Sequence, residues 1–172
     1  KPCIMPATPA DLFAFLTQLG IETVTVEHPP LFSVEQSRQL RGEIPGAHTK
    51  NLFLIDRKDR LFLAVAGEAA KIDLKRLHEK IGASGRFSFG KPALLEETLG
   101  VTPGSVTPFA AINDSERRVE VVLDAALMRQ DPLNFHPLQN TMTTRIAAED
   151  LLGFLRAPGH DPRFLAPGEA AS

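Results

Sequence analysis

A chain of 172 residues, 43% hydrophobic and 23% charged, can bury a core without a metal or disulfide staple, and no apolar run approaches the roughly 20 residues of a membrane span. The net charge of −2 argues against a general basic surface for long nucleic acid, because nonspecific affinity comes from phosphate neutralisation. One cysteine, Cys3, excludes an intramolecular disulfide framework or a multi-cysteine zinc site, and five scattered histidines form no HxH or HExxH pair. The N-terminal Lys1-Pro2-Cys3-Ile4-Met5-Pro6 lacks a signal peptide's apolar region, so a cytoplasmic protein with no metal and no other cofactor is expected.

Thr8 before Pro9 and Asp11 predicts a capped helix with Leu12, Phe13, Leu16 and Leu19 at helical spacing, ended by Gly20. Residues 23–28 alternate as a strand that stops at Pro29-Pro30. Ser33 with Gln36 suggests a capping box for a short helix to Arg41, and 42–49 reads as loop. The apolar runs 51–55 and 61–66, joined by Asp56-Arg57-Lys58-Asp59-Arg60, predict a hairpin buried on both faces. Asp73 is expected to cap a helix to about Ile81, closed by Gly82. A short strand at 86–89 precedes a helix that Pro92 opens and Gly100 terminates. Residues 109–112 and 119–123 flank Asn113-Asp114-Ser115-Glu116 and predict a second hairpin. A strand at 141–146 and a helix at 148–156 follow, then a frayed tail from Ala157. All eleven aromatic residues are Phe and are read as core rather than as stacking platforms. No repeat or linker divides the chain. The expectation is one α+β domain over 1–172, with a core at about 8–160, a tail at 161–172, and a curved mixed sheet surrounded by helices.

Lys50, preceded by a Pro-Gly turn and standing at the mouth of an apolar strand, must either snorkel to solvent or meet an anion. Asn51 beside it either orients a substrate hydroxyl or satisfies a turn, and His48 lies close by in the loop. In Pro103-Gly104-Ser105-Val106-Thr107-Pro108, Gly104 lets backbone approach a ligand. The prolines stiffen each side and leave the N–H groups of Ser105, Val106 and Thr107 to be accounted for. An oxyanion site and a plain tight turn both fit. His136, in Asn134-Phe135-His136-Pro137-Leu138, is either a general base or ribose ligand, or a packed histidine bonded to backbone; Asn140 and Thr141 follow it. Ser105 is the one serine to test as a nucleophile. Lys71, Lys75, Arg76 and Lys80, with Arg86 and Lys91 beyond, form either an anion-binding patch or the solvated side of a helix.

Taken in order, His28-Pro29-Pro30, Pro45-Gly46, Thr49-Lys50-Asn51-Leu52-Phe53-Leu54, the Pro103 to Pro108 loop, Asn113-Asp114, Asn134-Phe135-His136-Pro137-Leu138 and Asn140-Thr141-Met142-Thr143-Thr144 resemble the ProX branch of the YbaK/ProX editing-domain superfamily. The likeness runs over about residues 8–160. Within that superfamily the chain is most similar to the freestanding Ala-tRNA(Pro) deacylases. The resemblance implies a single α+β domain with a curved mixed sheet and hydrolysis of the ester between alanine and the terminal adenosine of proline tRNA. It implies Lys50 on the terminal phosphate and ribose and the Gly104 loop on the carbonyl oxygen. Asn51, Ser105, Val106, Thr107, Pro108 and Thr141 would line the substrate, and Lys71, Lys75, Arg76 and Lys80 would meet the tRNA. The ribose 2′-hydroxyl would orient the attacking water, with His136 as fallback base. The implied partners are the acceptor end of tRNA(Pro) and, transiently, prolyl-tRNA synthetase, with no membrane. Cys- or Ser-tRNA(Pro) as substrate, a nonenzymatic tRNA- or DNA-binding module, and a small-molecule esterase or amidase remain as alternatives.

Overall fold

The computed structural model describes residues 5–30 and 44–165, so the helix expected at 33–41 and Cys3 lie outside the described residues. Helix α1 (Pro9–Gln18) starts as expected: the Thr8 hydroxyl accepts the Asp11 N–H while the Asp11 carboxylate accepts that of Thr8. The strands are β1 (Val24–Glu27), β2 (Ala47–Ile55), β3 (Leu61–Gly67), β4 (Ser88–Phe89), β5 (Val119–Asp124), β6 (Leu133–Phe135), β7 (Met142–Ile146) and β8 (Arg163–Leu165). They form one eight-stranded mixed sheet in the order β1-β7-β6-β2-β3-β5-β8, with β4 added to β2. Among the described residues, helices α2 (Leu77–Ile81), α3 (Pro92–Leu99) and α4 (Ala148–Arg156) join α1 and the sheet in the α+β domain.

The main core lies on one face of this sheet. Phe53, Val65 and Phe135 meet Leu12, Leu16, Phe109 and Phe154 there, and Phe109 packs edge-on against both Phe135 and Phe154. A smaller cluster covers the other face, where Leu54, Phe62 and Val122 meet Leu77 and Ile81 of α2.

Several expectations change. Residues 108–113 form a 3-10 helix, not a strand. A short apolar run without alternation fits either form, and here Pro108 at the first position and the Thr107 hydroxyl accepting the Phe109 N–H decide it. The second hairpin is therefore absent: β5 lies parallel to β3, reached by a crossover through α2 and α3. The helix from Asp73 shrinks to α2. Its carboxylate accepts the Lys75 N–H and its carbonyl the N–H groups of Arg76 and Leu77, so the chain makes a turn before the helix begins. The strand at 86–89 shortens to β4. From Ala157 to Leu165 the chain is not frayed as expected, since β8 pairs in parallel with β5. Phe89 and Phe164, 59% and 46% exposed, are not core.

The loop expected at 42–49 ends early, because β2 begins at Ala47 beside β6. Asn134 of β6 stakes that start: its buried amide donates to the carbonyls of Pro45 (3.0 Å) and Ala47 (3.2 Å). Gly46, at φ 103°, turns the chain into the strand, and a Cβ there would stand 2.9 Å from the same amide. The hairpin of β2 and β3 forms as predicted, with β3 buried. The first six residues of β2, however, are only half-buried.

Candidate active site

That half-buried stretch of β2 is where the sheet forks. β2 pairs with β6 at Ala47 and His48 and with β4 at Leu54 and Ile55; between them, among the described residues, 49–53 pair with β3 alone. Lys50 and Asn51 stand in this fork. Strand alternation turns Lys50 to the face of Leu52 and Leu54, and Asn51 to the face of Phe53. The half-buried Lys50 donates from Nζ to the Ala70 carbonyl, which leaves two of its three N–H donors for another acceptor. Asn51 donates weakly to the Thr49 hydroxyl at 3.5 Å, and its buried Oδ1 has no partner among the described residues. His48 is a strand residue whose Nε2 donates to the Ile44 carbonyl at 3.2 Å.

Lys50 and His136 each lie two residues beyond the last β2–β6 pair, His48 with Asn134. His136 turns away from the core face taken by Phe135, and so to the side of Lys50. Its Nδ1 lies 2.9 Å from the Met142 carbonyl. A carbonyl only accepts, so the ring proton is on Nδ1 and Nε2 carries the free lone pair of a neutral imidazole. Burial pushes the His136 pKa below its ordinary value; the Met142 carbonyl pulls up and the charge of His28 pushes further down.

His28 is the neighbour that single residues of the sequence did not single out as chemistry. Its ring is 6.2 Å from that of His136. It donates from Nδ1 to the Pro29 carbonyl at 2.9 Å, and its Nε2 is hydrogen-bonded to the Thr143 hydroxyl at 2.8 Å. The signal available was its position: the last residue of an alternating strand that stops at two prolines. Here it leaves β1 with its N–H on the Thr141 carbonyl.

The Gly104 loop is a 3-10 turn, Pro103–Ser105, held between Val101 and Val106, which pack in the main core. The Ser105 N–H is spent inside the turn on the Thr102 carbonyl at 2.9 Å, so it is not available to an oxyanion, and the residue is 4% exposed. Among the described residues the N–H groups of Val106 and Thr107 have no acceptor. Val106 packs on the core, and Thr107 and Pro108 are buried, supporting the loop from behind. Gly104 is exposed, and its φ is outside the left-handed region, so the turn itself does not demand glycine. A Cβ on it would stand 3.3 Å from Nδ2 of Asn140, which joins this loop to the segment after His136. Thr141, half-buried, reaches Gln139 at 3.4 Å.

Lys71, Lys75, Arg76 and Lys80 are all exposed. Because α2 has five residues, Lys71 and Lys75 precede it and the four share no helical face. Arg76 pairs with Glu79 at 3.4 Å, and Lys80 has a partner of its own. Lys71 directly follows Ala70, the residue that receives Lys50. A concavity of about 580 Å³ lies at the far end of β2, lined by Arg57, Asp59, Arg86 and Phe87 among others, away from Lys50. Asp56 in its wall is committed to structure. Burial alone would raise its pKa, but accepting the N–H groups of Ser84, Arg60 and Lys58 holds it low. Among the described residues, no three His, Cys, Asp or Glu side chains gather to hold a metal, and no helix is long and apolar enough to cross a membrane.

The sequence profile of the aminoacyl-tRNA editing domain matches residues 28–154. The chain is 38% identical over 158 residues to prolyl-tRNA synthetase associated domain-containing protein 1 of Danio rerio, covering 91% of this chain and 85% of that one. It is 37% identical over 150 residues to the prolyl-tRNA editing protein ProX of Acetoanaerobium sticklandii, covering 87% and 91%. The crystal structure of a proposed trans-editing enzyme for prolyl tRNA synthetase superposes with a TM-score of 0.68 over 92% of this chain and 97% of the other; at 19% identity this likeness speaks for the fold. With the profile spanning both Lys50 and His136 and relatives of this identity matching nearly end to end, the chain belongs to the aminoacyl-tRNA editing domain family.

Proposed function

We propose that this chain is a trans-acting deacylase that hydrolyses the aminoacyl ester of mischarged Ala-tRNA(Pro) by direct attack of water. The fork in β2 carries the reading: an ammonium with two donors to spare stands in it, and a neutral imidazole lies level with it on the same face. An ester at the 3′ end of a tRNA has the matching parts, a phosphate and ribose for the cation and a hydroxyl for the imidazole. Lys50 holds the terminal phosphate and ribose. The exposed turn at Gly104 approaches the ester carbonyl, whose developing negative charge the N–H of Val106 stabilises. The ribose 2′-hydroxyl orients the water, and Nε2 of His136 holds that hydroxyl or takes the proton.

Burial of Ser105 and the loss of its N–H to the turn favour water over a protein nucleophile. Alanine is the amino acid assigned, because a site shaped for proline rejects the smaller side chain by only about 1–3 kcal/mol and needs a second sieve. The acceptor end of tRNA(Pro) is the partner, and prolyl-tRNA synthetase, which releases that tRNA, is a transient one. The test is a deacylation panel of Ala-, Cys-, Ser- and Pro-tRNA(Pro), with Ala-tRNA(Ala) as control. Rapid loss of alanine from tRNA(Pro) with proline spared is expected; a preference for cysteine or serine overturns the specificity, and no turnover on any of them overturns the activity.

A further inference from the structure

We infer that Phe89 is a platform on which a base of the single-stranded 3′ end of the tRNA stacks. This rests on the tRNA-deacylase reading and extends it to a site away from the ester. Phe89 is 59% exposed, an unusual setting for a side chain with no polar atom to keep it in water. It pairs with Leu54, four residues along β2 from Lys50 and on the same face, so at about 3.3 Å per residue the two lie roughly 13 Å apart along the strand. That is within reach of the last few nucleotides of one chain.

The ring is held on a fixed backbone. The Gly90 N–H donates to the Phe53 carbonyl at 3.0 Å. A Cβ on Gly90 would fall inside contact with the Phe53 ring, so only glycine lets β4 lie this close to β2. A base meeting Phe89 therefore pays little to order it. Exposed cations flank the ring in sequence, Arg86 on one side and Lys91 on the other. Arg86 and Arg57 line the neighbouring concavity, where Asp59 is the exposed carboxylate and Asp56 is spent on backbone N–H groups. An aromatic face bracketed by cations is the combination that binds unpaired nucleotides without reading their sequence: the ring takes the base and the cations take the phosphates.

The test uses a fluorescently labelled RNA strand ending in CCA, its binding followed by anisotropy, and the same strand with abasic sites in place of its last bases. Phe89→Ala is expected to weaken the natural strand about tenfold with an unchanged melting temperature, and Phe89→Trp to keep or improve its affinity. The abasic strand should bind the wild-type protein as weakly as the natural strand binds Phe89→Ala, and should lose nothing more in that variant. Wild-type affinity of Phe89→Ala for the natural strand, equal losses from the abasic change in both proteins, or no binding of the natural strand to wild type would each overturn the platform. The two readings fail separately. A protein that hydrolyses no aminoacyl-tRNA yet shows the Phe89-dependent binding keeps the platform and loses the activity, whereas full hydrolysis with KM and RNA affinity indifferent to Phe89→Ala does the reverse.

Discussion

Gly104 faces Asn140 closely enough that a single added methyl would stand 3.3 Å from the amide nitrogen, while the backbone at Gly104 is one that any L-residue adopts. What glycine supplies here is open space, not an unusual turn.

Gly104→Ala is accordingly expected to leave the melting temperature within a few degrees of wild type, since the Asn140 side chain needs to yield only a few tenths of an ångström. Deacylation should nevertheless fall by tenfold or more, about 1.4 kcal/mol in the barrier. A large drop in thermal stability with unchanged activity per folded molecule would mean that the glycine serves the turn. Both quantities are measured on one preparation, by calorimetry and single-turnover hydrolysis.

Lys50→Ala should lower kcat/KM at least a hundredfold, roughly 2.7 kcal/mol, because the proposed phosphate contact is lost with the ammonium. The Ala70 carbonyl loses its donor as well, but Lys50 is half-buried, so water can replace the bond and the far-UV spectrum should not change. Lys50→Arg should recover only part of the rate, since a planar guanidinium cannot keep the Ala70 contact and offer the same point charge. Turnover near wild type in a folded Lys50→Ala protein would remove the lysine from the mechanism.

The depressed pKa of His136 gives a pH signature with a definite sign. Below the ordinary value of 6.5 the unfolded chain takes up this proton before the folded one does. The contribution to stability is therefore complete above pH 6.5 and is lost as pH falls through the folded-state value. Activity needing a free Nε2 lone pair declines over the same lower range. Melting curves and kcat/KM between pH 8 and pH 5 should show both slopes in wild type, and His136→Gln should flatten the stability slope. A rate profile of unaltered shape in His136→Gln would show that the imidazole does not titrate in the reaction.

Replacing the terminal adenosine by its 2′-deoxy analogue is expected to suppress hydrolysis by more than tenfold, whereas Ser105→Ala and Cys3→Ala should each change the rate less than twofold. An acyl-enzyme trapped by rapid quench and seen by mass spectrometry would replace the water attack with a covalent route.

Local signals made much of this fold legible. The capping box of Thr8 and Asp11, Pro92 at the head of α3, and Gly100 past its end in the left-handed region each act within a few residues, so α1 and α3 were placed well. The pairings that define the sheet were not. β6 and β8 are three residues each, and the strands they join in parallel, β2 and β5, come from distant parts of the chain, so no local pattern marks them. The site divided in the same way. Lys50, Gly104 and His136 carried their own chemistry in the sequence, but the contact of His28 with Thr143 spans 115 positions and exists only because β1 lies beside β7. The exposure of Phe89 was equally hidden, since a phenylalanine gives no sign of which side of an added strand it will take.

The buried amide of Asn134, clasping the carbonyls on either side of Gly46, works as an index mark for the site. Side chains along a strand change sides at every step, so if β2 seated itself one residue out of step, Lys50 would swing to the face of Phe53 and Asn51 to the face of His136. The ammonium would then point into the apolar interior and the amide toward the imidazole. Such an error would turn the site inside out while leaving nearly every strand pair formed, and the two hydrogen bonds from one asparagine are what make that seating costly.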